Sequence, residues 1–115
     1  MSRARQALGR YGEDRAARWY EDRGYRVLAR NWRVREGEID LVLAKQRVLV
    51  FCEVKTRTSD RFGSAAEAVG PRKQQQVRAV ARRYLADEVR RAPGNIRFDV
   101  AAVTPAGIEV IEGAF

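Results

Sequence analysis

Apolar positions along this chain recur at two periods, and the switches between them mark out its elements. From Ala4 to Arg23 the spacing is helical: Leu8, Tyr11, Ala16, Ala17, Trp19 and Tyr20 spread over a wide apolar arc before Gly24 ends it. YRVLARNWRV, from Tyr25 to Val34, is rich in aromatic and β-branched residues and reads as a strand with imperfect alternation. EIDLVLAKQRVLVFCEVKTR, residues 38 to 57, is two apolar runs joined by a short charged turn, which is a hairpin pattern. TRTSDRFGS follows as a polar loop from Thr56 to Ser64. Gly70 and Pro71 open a second helix whose apolar stripe is Val77, Val80, Ala81, Tyr84 and Leu85, with Arg72, Lys73, Arg78, Arg82 and Arg83 largely off that stripe. After Pro93 and Gly94, IRFDVAAV and GIEVIEGAF read as two strands around a turn at Pro105 to Gly107. The order is αβββαββ in a single α/β domain covering residues 1–115, with no internal repeat or linker.

The hairpin puts acids where a core is expected. A turn at Lys45 and Gln46, or over Ala44 to Arg47, sets Asp40 opposite Phe51 and Glu38 opposite Glu53. Glu38, Asp40, Val42, Leu49, Phe51, Glu53 and Lys55 then share one face. Ile39, Leu41, Leu43, Val48, Val50, Cys52 and Val54 form an apolar face for a helix to cover. Asp40 and Glu53 become diagonal neighbours with Cβ atoms about 7 Å apart. At an effective dielectric near 20 their charges repel by about 2 kcal/mol, so a counterion, a proton or a lysine is expected beside them. The alternative is a solvated Glu53–Lys55 ion pair on a half-exposed sheet. On the first helix Glu13 shares a face with Gly9, Ala16, Ala17 and Tyr20, which makes it a partly buried acid; the competing reading pairs it with Arg10 or Arg18 at the surface.

Composition narrows the chemistry. The 115 residues contain no histidine, and Cys52 is the one cysteine, so zinc and a disulfide framework within the chain are both disfavoured. Oxygen ligands alone favour a hard divalent cation, Mg²⁺ with Mn²⁺ as the alternative, and phosphate as its companion. Lys55, two residues past Glu53, is placed to orient an attacking water or to stabilise charge growing on phosphorus. The net charge is +8, and twenty of the 23 basic residues are arginine. That surplus suits nucleic acid, although codon bias or thermal adaptation gives the same composition. Arg57 and Arg61 lie in the polar loop as candidate contacts, and Arg72 lies at the start of the second helix. The first residues lack a signal-peptide pattern, and no run approaches membrane-spanning length, so a cytoplasmic protein without a membrane partner is expected.

GEID at 37 to 40 and EVK at 53 to 55 resemble the divided acid motif, an Asp followed by Glu-X-Lys, of the restriction-endonuclease-like nuclease superfamily. More closely, GRYGEDRAARW, GEIDLVL, LVFCEVKTR, EAVGPRKQQQVRAVARRYL, RFDVAAV and the closing IEGAF resemble the YraN-type bacterial protein family over nearly the whole chain. The resemblance implies a restriction-endonuclease-like fold similar to Holliday-junction resolvases, a central mixed sheet flanked by helices with the site at the hairpin. It also implies Asp40 and Glu53 as metal ligands, Lys55 as the partner of the attacking water, Glu13 as a contributing acid, and the Val54 carbonyl as a further ligand. Lys73 and Gln76 become candidates to face the site or the nucleic acid. Resolvases of this kind act as homodimers, which leaves a dimer open here. The function so implied is a Mg²⁺-dependent endonuclease hydrolysing DNA, branched DNA included. The alternative is a non-catalytic nucleic-acid-binding protein of nuclease ancestry.

Overall fold

The computed structural model describes residues 3–58 and 69–115. Helix α1 spans Arg3–Glu21, strands β1, β2 and β3 span Arg26–Val34, Gly37–Lys45 and Val48–Thr56, helix α2 spans Pro71–Glu88, and strands β4 and β5 span Asn95–Thr104 and Gly107–Ile111. The expected αβββαββ order holds. The strands form one five-stranded mixed sheet in the order β1-β2-β3-β4-β5, with β3 and β4 parallel and every other neighbouring pair antiparallel. This arrangement is compatible with the restriction-endonuclease-like fold implied by the sequence resemblance.

Local chemistry sets the element ends. Gly24 takes φ +88, and the Gly24 and Tyr25 amides donate to the carbonyls of Glu21 and Tyr20 at 3.0 Å each, a left-handed cap that glycine accommodates without a Cβ clash. At the other helix Gly70 is the N-cap and Pro71 supplies the first helical φ. Gln46 takes φ +54 in the tight turn between Lys45 and Val48.

That turn corrects the register. It consists of Gln46 and Arg47, so Phe51 pairs with Val42 rather than with Asp40, and Cys52 pairs with Leu41. The shift is by two residues, which preserves the assignment of β3 side chains to faces. Both faces of the sheet are covered. Helix α1 packs Ala16, Ala17 and Tyr20 on Leu41, Leu43, Val50 and Cys52. Helix α2 packs Val77, Val80, Ala81 and Tyr84 on Val42, Ala44, Leu49 and Phe51.

Ile39 departs from the expected face: it joins the α2-side cluster although Leu41 lies in the α1-side one, so alternation in β2 flips across Asp40. Opposite this point Asn31 takes φ +52, a left-handed conformation that Asn tolerates better than most residues. Tyr11 also departs from expectation, standing exposed on α1 rather than inside its apolar arc.

Candidate metal and phosphate site

The site forms where β2 and β3 separate. Their ladder ends at Leu41 and Cys52, and the next residues along each strand are Asp40 and Glu53. Freed from a backbone partner in β2, the Val54 amide donates instead to Asp40 Oδ2 at 2.8 Å. Amide and carbonyl of one strand residue point to the same side, so the Val54 carbonyl also faces this opening rather than β4.

Glu53 is only 3% exposed, and its Oε1 has no hydrogen-bond partner among the described residues. Oε2 lies 3.9 Å from Lys73 Nζ. Burial, followed by the Asp40 charge, pushes the Glu53 carboxyl up to about 8; Lys73 and Lys55 oppose the rise. Burial also raises Asp40, against the Val54 amide, while Glu38 adds to the rise and Lys55 opposes it. The two carboxyl groups are close enough to share a proton. A buried carboxyl with an unpartnered oxygen beside a second acid calls for a proton or a cation. The donors present are hard oxygens without imidazole or thiolate, which fits Mg²⁺ or Mn²⁺.

Glu13 approaches from α1. Its Oε1 accepts a hydrogen bond from Asn31 Nδ2 at 2.9 Å and lies 3.8 Å from an Arg30 nitrogen, so neither Arg10 nor Arg18 is its partner. Burial raises its carboxyl, the Asn31 bond opposes this, and the Asp40 charge adds to the rise. Among the described residues no three histidine, cysteine or acidic side chains are grouped to hold a metal, so Glu13 borders the Asp40–Glu53 pair without completing a three-acid cage. Glu38 is likewise engaged elsewhere, with Arg33 donating to its Oε2 at 2.7 and 3.1 Å.

The cations fall into two groups. Lys55 and Lys73 act electrostatically on the acid pair, and Lys73 donates to Gln76 Oε1 at 3.1 Å while Gln76 donates to the Glu36 carbonyl at 3.3 Å. Gln76 thereby braces the β1–β2 turn, where a Cβ on Gly37 would stand 2.8 Å from Gln76 Nε2 and φ is +146. Arg72 is exposed at the start of α2, and Arg57 is half-buried with its amide donating to the Val103 carbonyl at 2.8 Å. Arg61 lies outside the described residues.

Two features escaped the sequence reading. Asn31 orients Glu13, and its one signal was an asparagine inside a strand-like run. Asp99, fully buried on β4, accepts from Tyr20 Oη at 2.6 Å, from Arg97 at 2.9 and 3.0 Å and from the Gly113 amide at 3.0 Å. This network ties α1 and the C-terminal segment to the sheet. Burial and the nearby Asp99 charge push the Tyr20 hydroxyl up, and burial does the same to the Cys52 thiol, so both stay protonated.

The sequence profile of the family described as "Uncharacterised protein family UPF0102" matches residues 12–103, a span containing Glu13, Asp40, Glu53, Lys55, Lys73 and Gln76. The chain belongs to the UPF0102 family. A UPF0102 protein of Frankia alni is 52% identical over 98% of both chains. Those of Streptomyces griseus and Moorella thermoacetica are 49% identical over 87% of this chain and 84% of theirs, and 44% identical over all of both. The YraN-type resemblance is therefore correct, and UPF0102 membership extends across the elements that build the acid pair. No helix among the described residues is long and apolar enough to cross a membrane.

Proposed function

We propose that this UPF0102 protein is a metal-dependent endonuclease, with DNA as substrate and branched DNA within its range. The observation that carries the reading is Glu53: a buried carboxylate with an unpartnered oxygen beside Asp40, at the point where two strands part and next to two lysines. In this reading Asp40, Glu53 and the Val54 carbonyl hold Mg²⁺ or Mn²⁺. A cation there would polarise a phosphate oxygen and acidify a water. The Val54 amide fixes one Asp40 oxygen. Lys55 holds the attacking water or meets negative charge growing on the phosphate. Lys73 balances Glu53 from α2, and Asn31 keeps Glu13 turned toward the site. Arg57, Arg61 and Arg72 would dock the backbone of the nucleic acid.

The test is purified protein with labelled duplex, flap and four-way DNA in Mg²⁺ or Mn²⁺, beside Asp40→Ala and Lys55→Ala. Cleavage by the parent and its loss in both variants supports the assignment; equal cleavage by all three removes these residues from the mechanism.

A second reading, nucleic-acid binding without turnover, draws support from Glu13. That acid is already engaged by Asn31 and bordered by Arg30, and the described residues contain no three-ligand cage. Steeply salt-dependent DNA binding with no divalent-ion affinity at millimolar concentration would favour it.

A further inference from the structure

A concave site lies at the end of the hairpin opposite the acid pair. Asp40 and Gln46 are separated by six strand positions, roughly 20 Å at about 3.3 Å per residue. Around the Gln46–Arg47 turn and the C-terminal end of α2 is a cleft of about 460 Å³. Its apolar wall includes Leu28, Leu49 and Tyr84, and Leu28 stays 43% exposed where β1 shifts register. An exposed leucine beside a cleft leaves apolar surface for a flat ligand to cover.

The polar wall is cationic. Arg47, Arg90 and Arg91 line the cleft, and none of their guanidinium groups has a hydrogen bond or ion pair among the described residues. The one acid in the wall is Glu88, so the lining carries a net positive charge. Three guanidinium groups around an apolar floor match a ligand with a planar body and a phosphate. A peptide strand fits less well. The β2, β3 and β4 backbones are paired with one another at this end, and the Gly94 and Asn95 amides are already bonded to the Arg47 carbonyl. Among the strands lining the cleft only β1 keeps a free edge, and the register shift at Leu28 interrupts the regular ladder that a peptide would extend.

We propose that this cleft binds a single nucleotide unit, its base against Leu28, Leu49 and Tyr84 and its phosphate on Arg47, Arg90 and Arg91. The source is either a free nucleoside monophosphate or an unpaired nucleotide of a strand. The inference is independent of the nuclease reading, since binding here requires neither metal nor the acid pair.

The test is an amide-resolved NMR titration of the full chain in EDTA, which keeps the acid pair free of metal. The probes are thymidine 5′-monophosphate, inorganic phosphate, a 5′-phosphorylated oligothymidylate and a peptide of aspartate and phenylalanine. The nucleotide should shift the amides of Leu28, Gln46, Arg47, Arg90 and Arg91 and leave those of Asp40 and Glu53 in place. Its affinity should fall about tenfold in Arg90→Gln/Arg91→Gln and again in Arg47→Gln, exposed positions whose replacement leaves the core intact. Tighter binding of the oligonucleotide through the same amides identifies a strand as the source, and equal binding identifies the free nucleotide; either supports the site. The proposal is overturned if inorganic phosphate binds as tightly as the nucleotide, if the peptide binds more tightly, if nothing shifts these amides, or if the arginine variants bind like the parent.

Discussion

Glu53→Gln isolates the electrostatic tension in the acid pair. In the folded, metal-free chain the Glu53 carboxyl sits near 8, above the value of about 4.5 for an exposed glutamate. The folded state therefore holds this proton more tightly than the unfolded state does. Between about pH 4.5 and 8 the folded chain carries the greater number of protons, so stability is highest at the acid end, falls as pH rises through this window, and levels off above it. Because the side chain is 3% exposed, solvent screening reduces the effect little, and the full loss is on the order of 5 kcal/mol. Glutamine keeps the shape and removes the charge, so the variant should match the parent near pH 5 and exceed it by about 2 to 5 kcal/mol at pH 9. Urea denaturation in EDTA at a series of pH values measures this difference. At pH 9, Mg²⁺ should restore stability to the parent and leave the variant unchanged. A parent–variant difference that does not vary with pH would exclude a raised Glu53 carboxyl.

Further outcomes follow from neighbouring contacts. Lys73→Met removes a cation that opposes the rise at Glu53, so the alkaline loss of stability should deepen and extend to higher pH in the same denaturation series. Tyr20→Phe deletes one donor to Asp99 and should cost about 1 to 2 kcal/mol by urea denaturation, whereas Asp99→Asn weakens the hold on Arg97 and should cost about 3 kcal/mol or more. Gly12→Ala drives a Cβ into the Thr56 side chain and should destabilise the chain by about 1 to 3 kcal/mol, with partial recovery in Gly12→Ala/Thr56→Ala. Lys55→Ala should lower cleavage by about a hundredfold or more while DNA affinity, read by anisotropy in EDTA, stays near the parent value.

Periodicity made the architecture legible because both helices and most strands carry apolar patterns that burial enforces: Val77, Val80, Ala81 and Tyr84 are buried on α2 as their spacing requires. The hairpin register was not legible, since turns at Lys45–Gln46 and at Gln46–Arg47 leave the same side chains on the same β3 face. Only the left-handed backbone at Gln46 and the pairing itself separate them. The acids and Lys55 were visible because charges beside an apolar run conflict with burial. The flip across Asp40 was hidden: it lies opposite the left-handed Asn31, a backbone conformation that hydrophobicity does not encode. Asp99 was hidden for a related reason: one acid in a strand-like run gives no sign of its donors, and those come from α1, β4 and the C-terminal segment.

Manganese binding followed by electron paramagnetic resonance addresses the acid pair directly, because free Mn²⁺ gives a signal that coordination suppresses. One Mn²⁺ per chain should bind at up to millimolar concentration, be displaced by Mg²⁺, and be lost in Asp40→Ala and Glu53→Gln. Parent protein that leaves the free-ion signal untouched, or variants that bind as the parent does, would exclude a metal site at these carboxylates.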